Sequence, residues 1–407
     1  MSSSNTDSVL SVVVQQMMIN KNIVDYEYDV DGGTSRTDGF LGDVIFFHVK
    51  YKNKIDYLVL KTGKTNENVR NLVDADTLYN REICMYTKVI PLLEEFAKIK
   101  NITVLPTFIP NLVFHHKESL VLENLRKQNF QMWNRRKPMT LAHLELLYEN
   151  YGIWHGVTMA FKNQKPQEFL KCVSGWRDCR FRLNKTLALS RYLKKEFSEA
   201  MIRLADRNRS DLVDVYKNYI DKIDDVLYRR DLKKEDMLII SHGDTWCNNY
   251  LFRNELPAEE SKPNRVYFLD FQLSRPESPG TEISSILYTM GGKDSFDNID
   301  KLLKIYHSKL SETLKRLGSD PEKLFTMNDL KRHWKRYAFF NVLHSFIYTR
   351  ISLCDDDDAP DLNQMAENGA DFDGAFFFEM KNMDLFWDRV LEIFIHYGEM
   401  LKEPIYE

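Results

Sequence analysis

"SHGDTWCNNYLF", residues 241–252, follows a short apolar run, Met237-Leu238-Ile239-Ile240, that reads as a strand. It places His242-Gly243-Asp244 at the strand's end and Asn249 five residues after the Asp. A second apolar run, Val266-Tyr267-Phe268-Leu269, ends in Asp270. Taken singly, Asp, Asn and Gly after strands are ordinary turn residues. Taken in this order they match the needs of phosphoryl transfer from ATP. That reaction wants a carboxylate beside the acceptor hydroxyl and a few hard oxygen ligands for Mg2+ beside the phosphates. The H-x-D-x-x-x-x-N spacing offers Asp244 as the catalytic carboxylate and Asn249 as one metal ligand, and Asp270 offers the other.

Working outward, the N-terminal part carries the complementary pieces. Residues 9–24 have apolar positions at helical spacing and read as a helix. A glycine-rich stretch, "DGGTSRTDGFLGD" (31–43), precedes two strand-like runs, "VIFFHVKY" and "IDYLVLK", joined by a tight turn. Gly39 and Gly42 are the positions where backbone can approach a phosphate closely. Lys61 ends the second run, where a nucleotide kinase keeps a phosphate-holding lysine. Residues 74–96 show an amphipathic helix pattern broken or restarted at Pro91, and Glu82 sits within it, in order to pair with Lys61. "SLVLENL" (119–125) reads as a strand leading into a hinge, with Glu123 and Leu125 placed to meet adenine.

From residue 140 onward the pattern is helical and, near the end, rich in aromatics. Phe339, Phe340, Phe346, Phe376 and Trp387 read first as core, and only second as the lining of an apolar acceptor slot. His155 falls on an apolar helix face and reads as a packing residue. Arg135-Arg136 reads as a solvated basic pair. The acidic segment "CDDDDAPDLNQMAENGADFDG" (354–374) lacks the Gly and Glu of a calcium loop and reads as exposed.

Bulk composition narrows the class. A net charge of −4 argues against a nucleic-acid partner. No run is long and apolar enough for a membrane span, and the N-terminus lacks the basic and cleavage features of a signal peptide. The five cysteines form no CxxC pair, which points to reduced thiols and a cytoplasmic location. Cys247 lies inside the loop but has no activating His–Asn pair beside it in sequence, so it reads as a small packed side chain.

The ordered set "DGFLGD", "YLVLK", "YNREICMYTKVIP", "SLVLENL", "SHGDTWCNNYLF" and "VYFLDFQLSRPESPGTEI" resembles the ecdysteroid kinase-like family. That family sits within the CHK kinase-like group and is related to choline kinases and aminoglycoside phosphotransferases. The resemblance covers roughly residues 35–290 and is most specific in "HGDxWxxN" followed by "DFQ". It implies an α+β, two-lobe protein-kinase-like fold. An N-terminal nucleotide-binding lobe would span residues 1–122 and a C-terminal catalytic and substrate-binding lobe 123–407, hinged at 121–125. It implies the roles already given to Asp244, Asn249, Asp270, Lys61 and Glu82. It also implies ATP-dependent phosphorylation of a small-molecule hydroxyl, in its named case on an ecdysteroid. Two positions depart from the family's usual pattern: Glu123-Asn124-Leu125 stands for Glu-Asp-Leu, and Glu282 stands where Asp is frequent.

The expectation is therefore an ATP- and Mg2+-dependent kinase for an ecdysteroid or similar hydrophobic alcohol, monomeric or weakly self-associating. A kinase for a dietary toxin or a choline-like or aminoglycoside-like acceptor is the alternative, and a non-catalytic nucleotide-binding pseudokinase is the third. A protein kinase is disfavoured, since neither Asp-Phe-Gly nor a downstream Ala-Pro-Glu is present.

Overall fold

The computed structural model describes residues 3–33, 42–63, 67, 70, 74–100, 105–176, 187–228, 232–254, 262–355 and 380–403. Gly39, Phe376 and most of the acidic segment lie outside them. The architecture is the α+β, two-lobe kinase-like fold expected from the sequence.

Helix α1 (Ser3–Asn20) precedes a five-stranded antiparallel sheet built from β1 (Glu27–Gly33), β2 (Gly42–Tyr51), β3 (Lys54–Gly63), β4 (Leu112–His116) and β5 (Ser119–Glu123). The strand order is β1-β2-β3-β5-β4. The β2–β3 turn is two residues, Lys52 and Asn53, both with positive φ (46° and 61°). That geometry matches the right-handed twist of the strands and fixes their register. Register then decides which side chains face which way. Ile45, Phe47 and Val49 on β2 and Leu58 and Leu60 on β3 pack with Leu10, Val13, Val14 and Met17 of α1. Strand alternation puts Val44, Phe46, Val59 and Lys61 on the opposite face, toward the rest of the chain.

Between β3 and β4 run α2 (Ala75–Cys84), a π-helical turn (Met85–Val89) and α3 (Ile90–Lys98). The helix restarts at Pro91 without breaking. Proline has no N–H to donate to the carbonyl four residues back, and the wider π turn just upstream accommodates that. Arg81 of α2 lies over the Trp176 ring at 4.4 Å and donates to the Ser274 carbonyl.

The larger part opens with a 3-10 turn (Leu125–Gln128) and β6 (Gln131–Met132). Helices α4 (Leu141–Gln164), α5 (Pro166–Val173), α6 (Leu187–Asp206), α7 (Ser210–Tyr216) and α8 (Ile223–Leu227) follow. Then come β7 (Ile239–Ser241), β8 (Tyr250–Asn254), β9 (Pro263–Phe268) and β10 (Arg275–Glu277). The chain continues through α9 (Pro279–Met290), α10 (Lys293–Asp297), α11 (Ile299–Arg316), α12 (Pro321–Leu324), α13 (Met327–Leu353) and α14 (Met383–Lys402). Strand β7 pairs with β10, and β6, β8 and β9 form a second small sheet. Helix α4 lies tightly on α11: a Cβ at Gly152 would meet the Tyr306 carbonyl oxygen at 2.6 Å, and one at Gly156 would meet Thr313 Cβ at 2.7 Å.

Two sequence readings are sharpened. Phe339, Phe340, Phe346 and Trp387 are buried core residues. Arg135 is not simply a solvated charge. Its Nη1 donates to the carbonyls of Ile351, Ser352 and Cys354 at 2.8, 3.0 and 2.9 Å, satisfying oxygens that the end of α13 leaves unpaired. Among the described residues, no helix is long and apolar enough to cross a membrane.

Candidate active site

The site begins at β7. Pairing of Ser241 with Arg275 delivers His242, Gly243 and Asp244 beside the chain that follows β9. Gly243 takes φ 88°, and a Cβ there would sit 2.1 Å from the Leu273 oxygen, so no other residue fits. His242 Nε2 donates to the Leu269 carbonyl at 2.7 Å, leaving Nδ1 to accept the Asp244 N–H at 3.3 Å. Burial lowers the His242 pKa, consistent with this neutral tautomer. Asn249 Nδ2 donates to the Asp244 carbonyl at 2.9 Å, and Leu269 N–H donates to the Asn249 carbonyl at 2.9 Å. The loop that holds Asp244 and Asn249 is thus stitched to the segment that ends in Asp270.

Asp270 stands in the left-handed region at φ 66°, a costly conformation for a non-glycine residue. It turns its carboxylate toward the small sheet lobe. Lys61 Nζ lies 2.7 Å from Glu82 Oε2 and 2.9 Å from Asp270 Oδ1. Three elements far apart in sequence (β3, α2 and the turn after β9) therefore meet on one ammonium group. Burial opposes the Lys61 charge, but the Asp270 and Glu82 carboxylates outweigh it and hold the ammonium ionised well above its ordinary range. Glu82 is 1% exposed, and burial pushes its carboxyl up while Lys61 draws it back.

Asp244 is half-buried. Burial, reinforced by the nearby Asp270 carboxylate, pushes its pKa up to about 7, against hydrogen bonds from Asn249 and Tyr348. A carboxylate poised there exchanges protons readily near neutrality.

Lys61, Glu82, Asn249 and Asp270 line one open cleft between the sheet lobe and the helical part. Its remaining walls are largely apolar, including Val44, Val59, Leu122, Leu125, Met132 and Leu251. Glu123 also borders it, but its carboxylate is engaged by the backbone and side chain of Asn111 (2.9 Å each) and by Gln128 (3.0 Å). Gly42 begins β2 opposite Gly63.

Sequence reasoning did not assign Glu282 a site role. Its two carboxylate oxygens accept the backbone N–H groups of His242 at 2.9 Å and Gly243 at 2.7 Å. His155 Nε2 reaches the same carboxylate at 2.9 Å, and His155 Nδ1 pairs with the Tyr306 hydroxyl at 2.8 Å. Burial alone would push the Glu282 carboxyl up, but the bond from His155, the neighbouring imidazoles and the Gly243 N–H reverse this and keep it ionised. The chain Tyr306–His155–Glu282 therefore props the loop of residues 242–244 from behind. Only the packing of α9 on β7 reveals it, and no local motif marks it. Glu282→Gln, which turns one acceptor oxygen into a donor facing an N–H, is expected to lower turnover at least tenfold with the fold retained, a loss typical of one charge-assisted hydrogen bond. Steady-state kinetics beside far-UV circular dichroism would test this, and unchanged turnover would refute it.

With the geometry in place, comparison with known proteins is decisive at one point: the model of the ecdysteroid kinase-like family matches residues 37–319. The chain belongs to the ecdysteroid kinase-like family. As a member of this small-molecule kinase-like family, it carries every motif used above within the matched span. No curated protein matches the chain. Among solved structures, it is similar to an ethanolamine kinase of Plasmodium vivax at 14% identity, with 88% of this chain and 86% of that one covered and a TM-score of 0.41. It is also similar to spectinomycin phosphotransferase APH(9)-Ia in complex with ADP and spectinomycin, at 11% identity, 92% and 93% coverage and a TM-score of 0.37. The GDP and kanamycin complex of APH(2")-IIia matches at 13% identity, 90% and 99% coverage and a TM-score of 0.41.

Proposed function

We propose that this ecdysteroid kinase-like protein is an ATP- and magnesium-dependent kinase of a small-molecule hydroxyl, with an ecdysteroid or similar hydrophobic alcohol as acceptor. The observation that carries the reading is the ammonium of Lys61 held at once by Glu82 and Asp270 in an open cleft with largely apolar walls. In this reading residues 1–122 form the nucleotide-binding lobe and residues 123–407 the catalytic and acceptor-binding lobe, meeting at 121–125. The protein is a cytoplasmic monomer or weak oligomer, and the thiols of Cys84 and Cys172 suit a reducing compartment.

Adenine lies against the apolar wall near Leu122 and Leu125, and Lys61 contacts the phosphates. The donor set fits magnesium. Asn249 commits its amide nitrogen to the Asp244 carbonyl, which leaves its amide oxygen to serve as a ligand, and Asp270 adds a carboxylate. Two such hard oxygens suffice for an ion that takes its other ligands from phosphate and water. When bound, magnesium neutralises charge that builds on the phosphates during transfer. Asp244 orients the acceptor hydroxyl and takes its proton as the new oxygen–phosphorus bond forms and the bond from the γ-phosphorus to the departing ADP breaks.

ATP consumption with magnesium, measured against ecdysteroids, plant phenolics, choline and kanamycin, tests the reading. Turnover on an ecdysteroid supports it fully, turnover only on another acceptor moves the substrate class, and nucleotide binding without any turnover sinks it. A pH profile adds a second check. Asp244 acts as a base only when ionised, and its pKa is raised to about 7, so kcat/KM falls as pH drops through that value. A profile that stays flat from about pH 8 to about pH 6 would contradict the assignment of Asp244 as base.

A further inference from the structure

Asp244 has a neighbour that the scheme above does not use. Tyr348, near the end of α13, donates its hydroxyl to Asp244 Oδ1 at 3.3 Å. Its phenol is pushed well above the ordinary range by burial and by the Asp244 carboxylate, so it stays a neutral donor. The other hydrogen bonds at this residue come from its own loop: Asn249 bonds both its carbonyl and its carboxylate, and His242 accepts its N–H. They fix where the backbone of Asp244 lies, and Tyr348 adds a hold on its carboxylate from a separate element. Among the described residues, Tyr348 is the side chain outside the 242–249 loop that hydrogen-bonds this carboxylate.

Tyr348 also comes from a rigid support. Asn341, two turns earlier on α13, donates to the Thr281 carbonyl at 2.6 Å and to Ser284 Oγ at 2.8 Å, tying α13 to α9. Helix α9 in turn carries Glu282, which holds the loop of Asp244. Arg135 closes the last turn of α13. The loop and the helix that reaches over it are therefore fixed to the same frame. A group held this way places its partner to within the tolerance that catalysis demands.

We propose that Tyr348 is a positioning residue for phosphoryl transfer: its hydroxyl holds one oxygen of Asp244 so that the other meets the acceptor hydroxyl. The proposal rests on the kinase reading above. It acts through Asp244 and makes no contact with the nucleotide, so it concerns kcat and not the binding of ATP.

The test uses the full chain with ATP and magnesium, and an ecdysteroid, choline and kanamycin in turn as acceptors. Tyr348→Phe keeps the ring and removes the donor. The expected result is a fall in kcat of about ten- to a hundredfold, the scale of one hydrogen bond to a charged group, with KM for ATP within about twofold of wild type. A wild-type kcat overturns the proposal, and so does an equal loss of ATP affinity, which would mark a general disturbance of the fold. A second readout needs no acceptor. Urea unfolding of wild type, Tyr348→Phe, Asp244→Asn and the double variant measures whether the two side chains are coupled. Non-additive effects uphold the pairing, and additive effects overturn it. Coupling in a wild-type protein that phosphorylates nothing would sink the kinase reading while upholding the Tyr348–Asp244 pairing.

Discussion

Asp244→Asn is expected to reduce turnover by about three orders of magnitude, the middle of the range for a lost general base. The substitution is nearly isosteric, and the main-chain bonds from Asn249 and to His242 survive it. An amide cannot accept the acceptor's proton, so the loss falls on kcat. ATP affinity should stay within about twofold, because Lys61, Asn249 and the apolar cleft wall are untouched. Isothermal titration with ATP, beside single-turnover kinetics, separates the two. Loss of ATP binding in the variant would place Asp244 on the nucleotide instead, and undiminished turnover would remove it from the chemistry.

The second large effect is on Lys61→Met. Removing the ammonium leaves Glu82, 1% exposed, and Asp270 facing each other without a cation. Breaking a buried pair by deleting one partner costs about 3–5 kcal/mol. The sign with pH follows from Glu82. Its carboxyl is already raised by burial, and without Lys61 it loses what draws it back, so its folded pKa moves further above the unfolded one. Stability is then retained where Glu82 is protonated and lost as pH rises through that value. The melting deficit of the variant should accordingly be larger near pH 8.5 than near pH 6, and its ATP affinity should fall at both. Equal deficits at the two pH values would show that Glu82 is not the group left stranded.

Much of this frame was legible in order and spacing. The alternation of β3 sends Leu58 and Leu60 to α1 and Lys61 to the cleft, so a period-two reading of six residues already orients the lysine. Glu82 and Asp270 followed from their positions on the next helix and at the next strand end. What stayed hidden depends on helices packing across long sequence gaps. Glu282 looked like a mere departure from an expected aspartate, yet its carboxylate bonds two N–H groups of a loop some forty residues upstream. His155 read correctly as a satisfied packing residue, but what satisfies it is that same carboxylate. Arg135 looked solvated because the carbonyls it meets lie more than two hundred residues away. Tyr348 is one aromatic among many on α13, and no pattern along the chain distinguishes the one that faces Asp244.

The contacts of Arg81 bear on how the Lys61–Glu82 pair is held in place. One residue before the glutamate that holds Lys61, it is tied to the Ser274 carbonyl and to Trp176, both in the helical part of the chain. A helix moored in this way has its glutamate held against Lys61 by contacts that lie outside the cleft itself.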